Sequence, residues 1–336
     1  MGEVRVSTNR SALVAAVLAA AAVLLAGCGA EPAADASGPG GGGPAVQAFD
    51  AAAATGVLAK FDEVNSAATV AGDLVALGQQ EVRPSLDISL AAARSTKAKG
   101  RAQPGFQHAD PVFAIPQGDP TCFVAEATLR VSGGELTRQD VSHFTRGTDG
   151  TWRISHNVLL SKDVPAGSLK LGQQPGVLGD QAVAADRRTA LADEVFARTI
   201  GATATGPSQI LPNRQLDQQL AAGWSVYQQQ LGQQGMQVTR TLLGAQWSTC
   251  AAASPQGTVL FVALDVLDTL APAPGGPATV TLPAGSPDLL SVGRTDAATG
   301  ARVEVPRTET FLLLVPDSGP STVLGLNDAA TEVRVR

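Results

Sequence analysis

The chain has 336 residues, of which 44% are hydrophobic and 16% charged, and its formal net charge at pH 7 is −6. A mildly acidic protein lacks the basic surface that binds phosphate backbones, so the composition argues against a nucleic-acid partner. The chain has only three cysteines and three histidines, which limits the metal-binding and redox motifs that it can hold.

The N-terminus reads as an export signal. Arg5 and Arg10 precede an apolar stretch that ends in Leu25-Ala26-Gly27-Cys28, and a charged start followed by a short apolar run is typical of signal peptides. The run holds about 15 apolar residues, fewer than the roughly 20 that span a bilayer. We therefore interpret residues 1–27 as a cleaved signal peptide, with an uncleaved transmembrane helix as the alternative.

The sequence LAGC resembles a bacterial lipobox, and this resemblance implies that Cys28 becomes the lipid-modified N-terminus. The expected location is the extracytoplasmic face of the cell membrane, with the membrane reached through the lipid anchor. Residues 28–48 comprise Cys28 and a stretch rich in Gly, Pro and Ala that has little to bury, so we expect a tether.

The first part of the remaining chain predicts helices followed by strands. Asp50 is suited to cap a long helix in which Leu58 and Phe61 begin an apolar face, and Pro84-Ser85 begins a second helix. Four extended segments then follow, separated by Gly-containing turns, and they predict an antiparallel meander: 111–116, 122–131, 140–147 and 151–160.

The second part repeats this order. Two helical stretches, 186–201 and 216–232, precede four more apolar segments, which are 237–253, 258–271, 302–316 and 321–335. We therefore predict an α+β fold of two tandem modules, each with N-terminal helices packed on a curved antiparallel sheet. The first module spans 49–164, a hinge spans 165–183, and the second module spans 184–336. One continuous α+β domain is the alternative.

Four segments carry a family resemblance: the lipobox, the helix start AFDAAAATGVLAKFDEVNSAAT, and the strands FVAEATLRV and TWRISHNVLL. With them the chain resembles actinobacterial lipoproteins of unknown function. The resemblance implies two modules similar to the nuclear transport factor 2 or cystatin-like fold, in which a long helix crosses a curved sheet and leaves a concave pocket. That family brings no catalytic residues, so only the role of Cys28 carries over.

Motifs for known chemistry are missing from the sequence. There is no G-x-S-x-G elbow, Gly-rich phosphate loop, H-E-x-x-H or C-x-x-C, so we predict no catalytic residues, no metal site and no cofactor. His108 with Asp110 could begin a metal site, but further ligands at suitable spacing are lacking, and we expect His108 to be a solvated loop residue.

Asp140 and His143 are the candidate pocket residues, because a carboxylate and an imidazole on one strand could do acid–base work. Residues three apart point to opposite faces of a regular strand, so only a bulge would bring this pair together. Cys122 and Cys250 are left after modification of Cys28, and an exported protein allows them to pair. Two separate buried thiols remain the alternative.

Three functional hypotheses follow. The first is a membrane-anchored, non-catalytic binding or scaffold protein whose partner is a protein, a wall component or a small molecule. The second is an exported enzyme with an unrecognised pocket, which would require several ionisable residues with perturbed pKa values to converge in one sheet's concavity. A solute-binding receptor is the weaker third, because such receptors usually alternate strands and helices.

Overall fold

The computed structural model describes residues 49–132, 137–172, 177–179, 182–203 and 206–336. The predicted signal peptide, Cys28 and the tether lie outside these residues. None of the helices in the described part of the chain is long and apolar enough to cross a membrane.

Three helices open the fold: α1 (Ala51–Ala71), α2 (Leu74–Gln80) and α3 (Ser85–Ala98). The Asp50 side chain accepts a hydrogen bond from the Ala53 amide at 2.9 Å and thereby caps α1, as its position predicts. Gly72 ends α1 with φ 65°, in the left-handed region that favours glycine, and Asp73 caps α2 at once. These two caps separate α1 from α2.

The first sheet contains β1 (Phe106–Ala114), β2 (Cys122–Val131), β3 (Thr137–Arg146) and β4 (Trp152–Leu159). Its antiparallel strands are neighbours in chain order, which is the predicted meander. β1 begins at Phe106 and so includes His108, which the sequence analysis had placed in a loop. Ser155 is the extra residue of a bulge in β4, because His156 pairs with His143 while Ile154 pairs with Phe144.

The second half supplies the remaining elements. In chain order they are β5 (Val177–Gly179), α4 (Ala185–Thr199), a π-helical turn (Gln215–Leu220), α5 (Ala221–Gln233), β6 (Met236–Trp247), β7 (Cys250–Ser254), β8 (Gly257–Pro272), β9 (Val280–Leu282), α6 (Pro287–Ser291), β10 (Ala298–Gly300), β11 (Val303–Val315), β12 (Thr322–Ala330) and β13 (Arg334–Val335). All of these strands except β9 and β10 form the second sheet, which is antiparallel and has β8 paired with β6, β7 and β11. The predicted strand 237–253 is therefore two strands, β6 and β7, and both pair with β8.

The two sheets pack against each other through an apolar layer. Val124, Val141 and Val158 of the first sheet share a buried cluster with Phe261 and Leu312 of the second. Each sheet therefore has its outer face free for helices.

Helices cover both outer faces. Leu58 and Phe61 of α1 pack on Phe123 and Phe144 of the first sheet. Leu191 and Val195 of α4 pack on the second sheet. The order of layers is helices, first sheet, second sheet, helices. The chain is α+β, with its long helices ahead of the long antiparallel strands in each half.

The halves share one core. All described residues belong to a single compact unit, and the segment predicted as a hinge, 165–183, is packed in part. Leu169 and Leu171 are buried in the cluster between the sheets, and β5 pairs with β7. These apolar side chains explain why the segment joins the core.

Candidate functional site

A cavity of about 370 Å³ lies between the helices α1–α3 and the first sheet. Its apolar wall consists of Phe61, Phe106, Leu129, Ile154 and Leu159, together with smaller side chains. The volume is near the lower end of the roughly 300–1,000 Å³ typical of small-molecule sites. The cavity therefore suits a small ligand, and its polar residues define the chemistry available there.

His108 is the central polar residue of this cavity. Its Nδ1 lies 2.6 Å from a carboxylate oxygen of Asp62 on α1, and its Nε2 lies 3.1 Å from one of Asp140 on β3. The Asp62 carboxylate also accepts the backbone N–H of His108 at 2.8 Å. Carboxylates only accept hydrogen bonds, so both ring nitrogens must donate, and His108 is an imidazolium.

The ionisation of His108 follows from this geometry. Burial alone would lower its pKa, but the hydrogen bonds to Asp140 and Asp62, with their charges, raise the pKa to about 10. The imidazolium side chain is only 2% exposed. The residue therefore stays protonated across the neutral range and carries a fixed positive charge.

Asp140 has its oxygens engaged by several donors besides His108. The Asn157 side-chain amide donates to both carboxylate oxygens at 2.8 and 2.9 Å, and the Ser142 hydroxyl donates at 2.8 Å. The same amide reaches the Ser142 oxygen at 2.9 Å. This buried carboxylate is thus held in one orientation by residues of β3 and β4.

Glu81 is a second acidic residue in the cavity wall, at the end of α2. It is 3% exposed and accepts hydrogen bonds from the Asn65 amide at 2.5 Å and from the hydroxyls of Ser85 and Ser89 at 2.8 Å. Burial raises the pKa of Glu81, and these three hydrogen bonds oppose the rise. Residues from α1 and α3 therefore fix its carboxyl group.

The predicted pair of Asp140 and His143 is not brought together in this cavity. Asp140 lines it, whereas His143 points to the opposite face of the first sheet, where its Nδ1 lies 2.6 Å from Ser155 Oγ. The His143 Nε2 accepts the Cys250 backbone N–H at 3.3 Å, and burial lowers the pKa of His143 to about 4. The bulge lies in β4 and leaves β3 regular, so the two residues keep opposite faces.

Asp62 and Glu81 had no role predicted from the sequence, and His108 was predicted to be a solvated loop residue. His108 was grouped with Asp110, but Asp110 has φ 53° and its exposed side chain pairs with Arg130 at 3.3 Å. A signal for His108 was present, because Phe106 and His108 alternate as they would on a strand that faces a helix. Asp62 and Glu81 gave no such signal, since only the fold brings them near β1 and β4.

The two remaining cysteines are bonded to each other. Cys122 on β2 and Cys250 on β7 form a disulfide with their Cα atoms 6.3 Å apart, and it joins the two sheets. Among the described residues, these cysteines and His143 are the one group whose ligand atoms, all within 4.8 Å of one another, could hold a metal ion. In the disulfide the sulfurs are not thiolates, so the bonded pair is not a metal-ligand set.

The chain matches one family in a comparison with models of protein families. The model of a family described as "Domain of unknown function (DUF8094)" matches residues 45–333. The chain belongs to this family. No curated protein matches the DUF8094 chain. The match covers the helices and both sheets, so the cavity and the disulfide both lie within the family domain.

Proposed function

We propose that this protein is a non-catalytic binding protein that holds a small molecule in the cavity beside His108, at the outer face of the cell membrane. The observation that carries the proposal is the construction of the polar wall. The ionisable groups Glu81, His108 and Asp140 are each fixed by hydrogen bonds within the protein. Such a wall recognises a ligand without rearranging.

The same contacts argue against acid–base work by His108. A general base needs a free lone pair and a pKa near the working pH. Both nitrogens of His108 are engaged, and its pKa is about 10. The Asp140 carboxylate accepts hydrogen bonds from His108, Ser142 and Asn157. These residues are better suited to holding a fixed surface than to moving protons.

The experiment compares what co-purifies with two variants. Ala92 lines the cavity but is exposed on α3, so Ala92→Trp should obstruct the cavity with little harm to the core. Ala52 is an exposed residue of α1 outside the cavity, and Ala52→Trp is the matched control. We expect mass spectrometry of extracts from the purified full chain to show a small molecule with wild type and Ala52→Trp that is depleted with Ala92→Trp. Equal recovery from all three proteins would contradict the proposal.

An enzyme is the second candidate, and Glu81 is the observation that favours it. A desolvated carboxyl group with a raised pKa inside a cavity can act as a general acid or base. The test is to incubate the co-purified molecule with wild type and with Glu81→Gln over a range of pH. Turnover that disappears in Glu81→Gln would favour the enzyme, whereas recovery of the unchanged molecule from both proteins would favour binding.

Location at the membrane is a separate part of the proposal, and it rests on the lipobox ending in Cys28. Two acyl chains would anchor the protein stably. We expect Cys28→Ala to move the protein from the washed membrane fraction to the soluble fraction. Retention of that variant in membranes at its full unprocessed length would instead support an uncleaved helix.

A further inference from the structure

The hydrogen-bonding groups left over in the cavity wall are mainly acceptors. The side-chain amide nitrogen of Asn157 donates to Asp140, and that of Asn327 donates to the Asn157 backbone oxygen at 2.9 Å. The carbonyl oxygens of these two side chains have no donor among the described residues. Ser85 and Ser89 donate their hydroxyl protons to Glu81, and their oxygen lone pairs remain.

The chemistry of their partners fixes the orientation of these amides. A carboxylate and a backbone carbonyl can only accept, so the NH₂ group of Asn157 must face Asp140 and that of Asn327 must face the Asn157 carbonyl. These hydrogen bonds therefore establish that the side-chain carbonyl oxygens of Asn157 and Asn327 are the atoms without a donor. Gln103 adds one amide with donor and acceptor capacity to the wall.

The ionisable groups in the wall also favour a cation over an anion. Glu81 and Asp140 line the cavity, and His108 is the one cationic side chain among the described residues that do so. Its charge is already shared between Asp62 and Asp140. An anion entering the cavity would meet two carboxyl groups and mostly acceptor atoms, which costs free energy, whereas a cation would be attracted.

Aromatic rings complete the pattern. Phe61 and Phe106 both line the cavity, with ring centroids 6.2 Å apart and planes inclined by 45°. Aromatic side chains offer a large apolar surface, against which the apolar body of a ligand can pack. Acidic groups and free carbonyl oxygens beside an aromatic surface are together the features that recognise an ammonium group attached to an apolar body.

We infer that the cavity selects a small organic cation, with an ammonium head directed to the acceptors near Glu81 and Asn157 and an apolar body against Phe61 and Phe106. This inference rests on the proposed binding function and names the class of its ligand. The ligand has to be small, because the cavity volume is about 370 Å³.

A matched series of phenyl compounds tests the charge preference. The soluble Cys28→Ala chain is titrated by calorimetry with phenethylammonium, phenethyl alcohol and 3-phenylpropionate, which have similar size and differ in charge. We expect phenethylammonium to bind most tightly and 3-phenylpropionate least, and Ala92→Trp to reduce phenethylammonium binding while Ala52→Trp does not.

Charge removal within the cavity provides the second measurement. Glu81→Gln should weaken phenethylammonium binding about tenfold, the usual effect of losing a hydrogen bond to a charged group. Asp119→Asn removes a carboxylate that is 76% exposed and paired with Arg146, and it should leave the affinity unchanged. An equal loss in both variants would mean that general surface charge attracts the cation, which would overturn the inference.

The remaining outcomes separate this inference from the proposed function. If 3-phenylpropionate or the alcohol binds more tightly than the ammonium compound and Ala92→Trp prevents it, the cavity is a binding site but the inferred class is wrong. If none of the three compounds binds and the extracts of wild type and Ala92→Trp are identical, both proposals fail.

Discussion

His108 couples the stability of the fold to pH, since its folded-state pKa is about 10 against 6.5 for an ordinary histidine. Between these values the folded chain holds a proton that the unfolded chain has lost. The stabilisation that protonated His108 gives by pairing with Asp62 and Asp140 is therefore complete below pH 6.5. It falls as pH rises toward 10, by about 1.4 kcal/mol per pH unit for one proton.

We predict that His108→Gln lowers the free energy of unfolding by about 4 kcal/mol at pH 6.5, because the variant leaves Asp62 and Asp140 without their cation. The deficit relative to wild type should shrink as pH rises toward 10. Urea unfolding at pH 6.5, 8 and 9.5 measures both effects.

His156→Gln is the control for this pH dependence. Burial lowers the pKa of His156 to about 3, so its imidazole is neutral in both folded and unfolded chains above about pH 7.5. The difference in free energy of unfolding between His156→Gln and wild type should therefore be the same at pH 8 and 9.5. A deficit for His108→Gln that is also constant over this interval would show that His108 is not held as a cation.

At the scale of elements, β12 and β4 approach closely where the two sheets meet. Gly325 pairs with Leu312 of β11 and also forms a bridge with Leu160, just beyond β4. A Cβ at position 325 would overlap the Leu159 backbone oxygen and lie 2.8 Å from Cγ1 of Val158. Backbone cannot move aside as a flexible side chain can, so only glycine fits without displacing a strand.

We predict that Gly325→Ala destabilises the chain by about 2 kcal/mol, within the range typical of overpacking. Gly223→Ala is the matched control, because Gly223 lies in α5 with open space around it. There alanine should stabilise the helix by up to about 1 kcal/mol. Chemical denaturation of both variants measures the contrast, and equal effects would contradict the close approach.

The pattern of elements could be predicted from local signals. The cap at Asp50, the apolar spacing of α1 and the Gly-containing turns between strands all act over a few residues. The division of the predicted strand 237–253 was missed because its cause is not local. The Ser248 hydroxyl accepts the Phe261 backbone N–H of β8 at 3.2 Å, where β6 ends.

The site could be predicted only in part, since its polar residues lie far apart in sequence. Asp140 was identified on β3, but Asp62 and Glu81 come from helices whose positions depend on tertiary packing. His108 was misplaced because β1 was predicted to begin too late. The sequence left open whether the halves are tandem modules or one continuous domain, because an apolar face does not specify which other face it meets.

At the scale of the whole molecule, the sheets are joined by an apolar layer and by one covalent bond. The disulfide between Cys122 and Cys250 lies beside that layer and spans 128 residues of sequence. In the chain-entropy model a crosslink of this span stabilises the folded state by about 5 kcal/mol. It also fixes β2 against β7, so the sheets cannot separate there while the bond is intact.

We predict that removing this bond lowers the melting temperature by about 10 °C, since each kcal/mol shifts it by about 2 °C in a chain of this size. The comparison uses the Cys28→Ala protein with and without Cys122→Ala and Cys250→Ala. The double substitution also removes two buried sulfur atoms, so reduction of the otherwise unaltered protein by dithiothreitol isolates the effect of the bond. Dithiothreitol should lower its melting temperature and leave the doubly substituted protein unchanged. Two free thiols per chain in the denatured, unreduced protein would show that the sheets are held by packing alone.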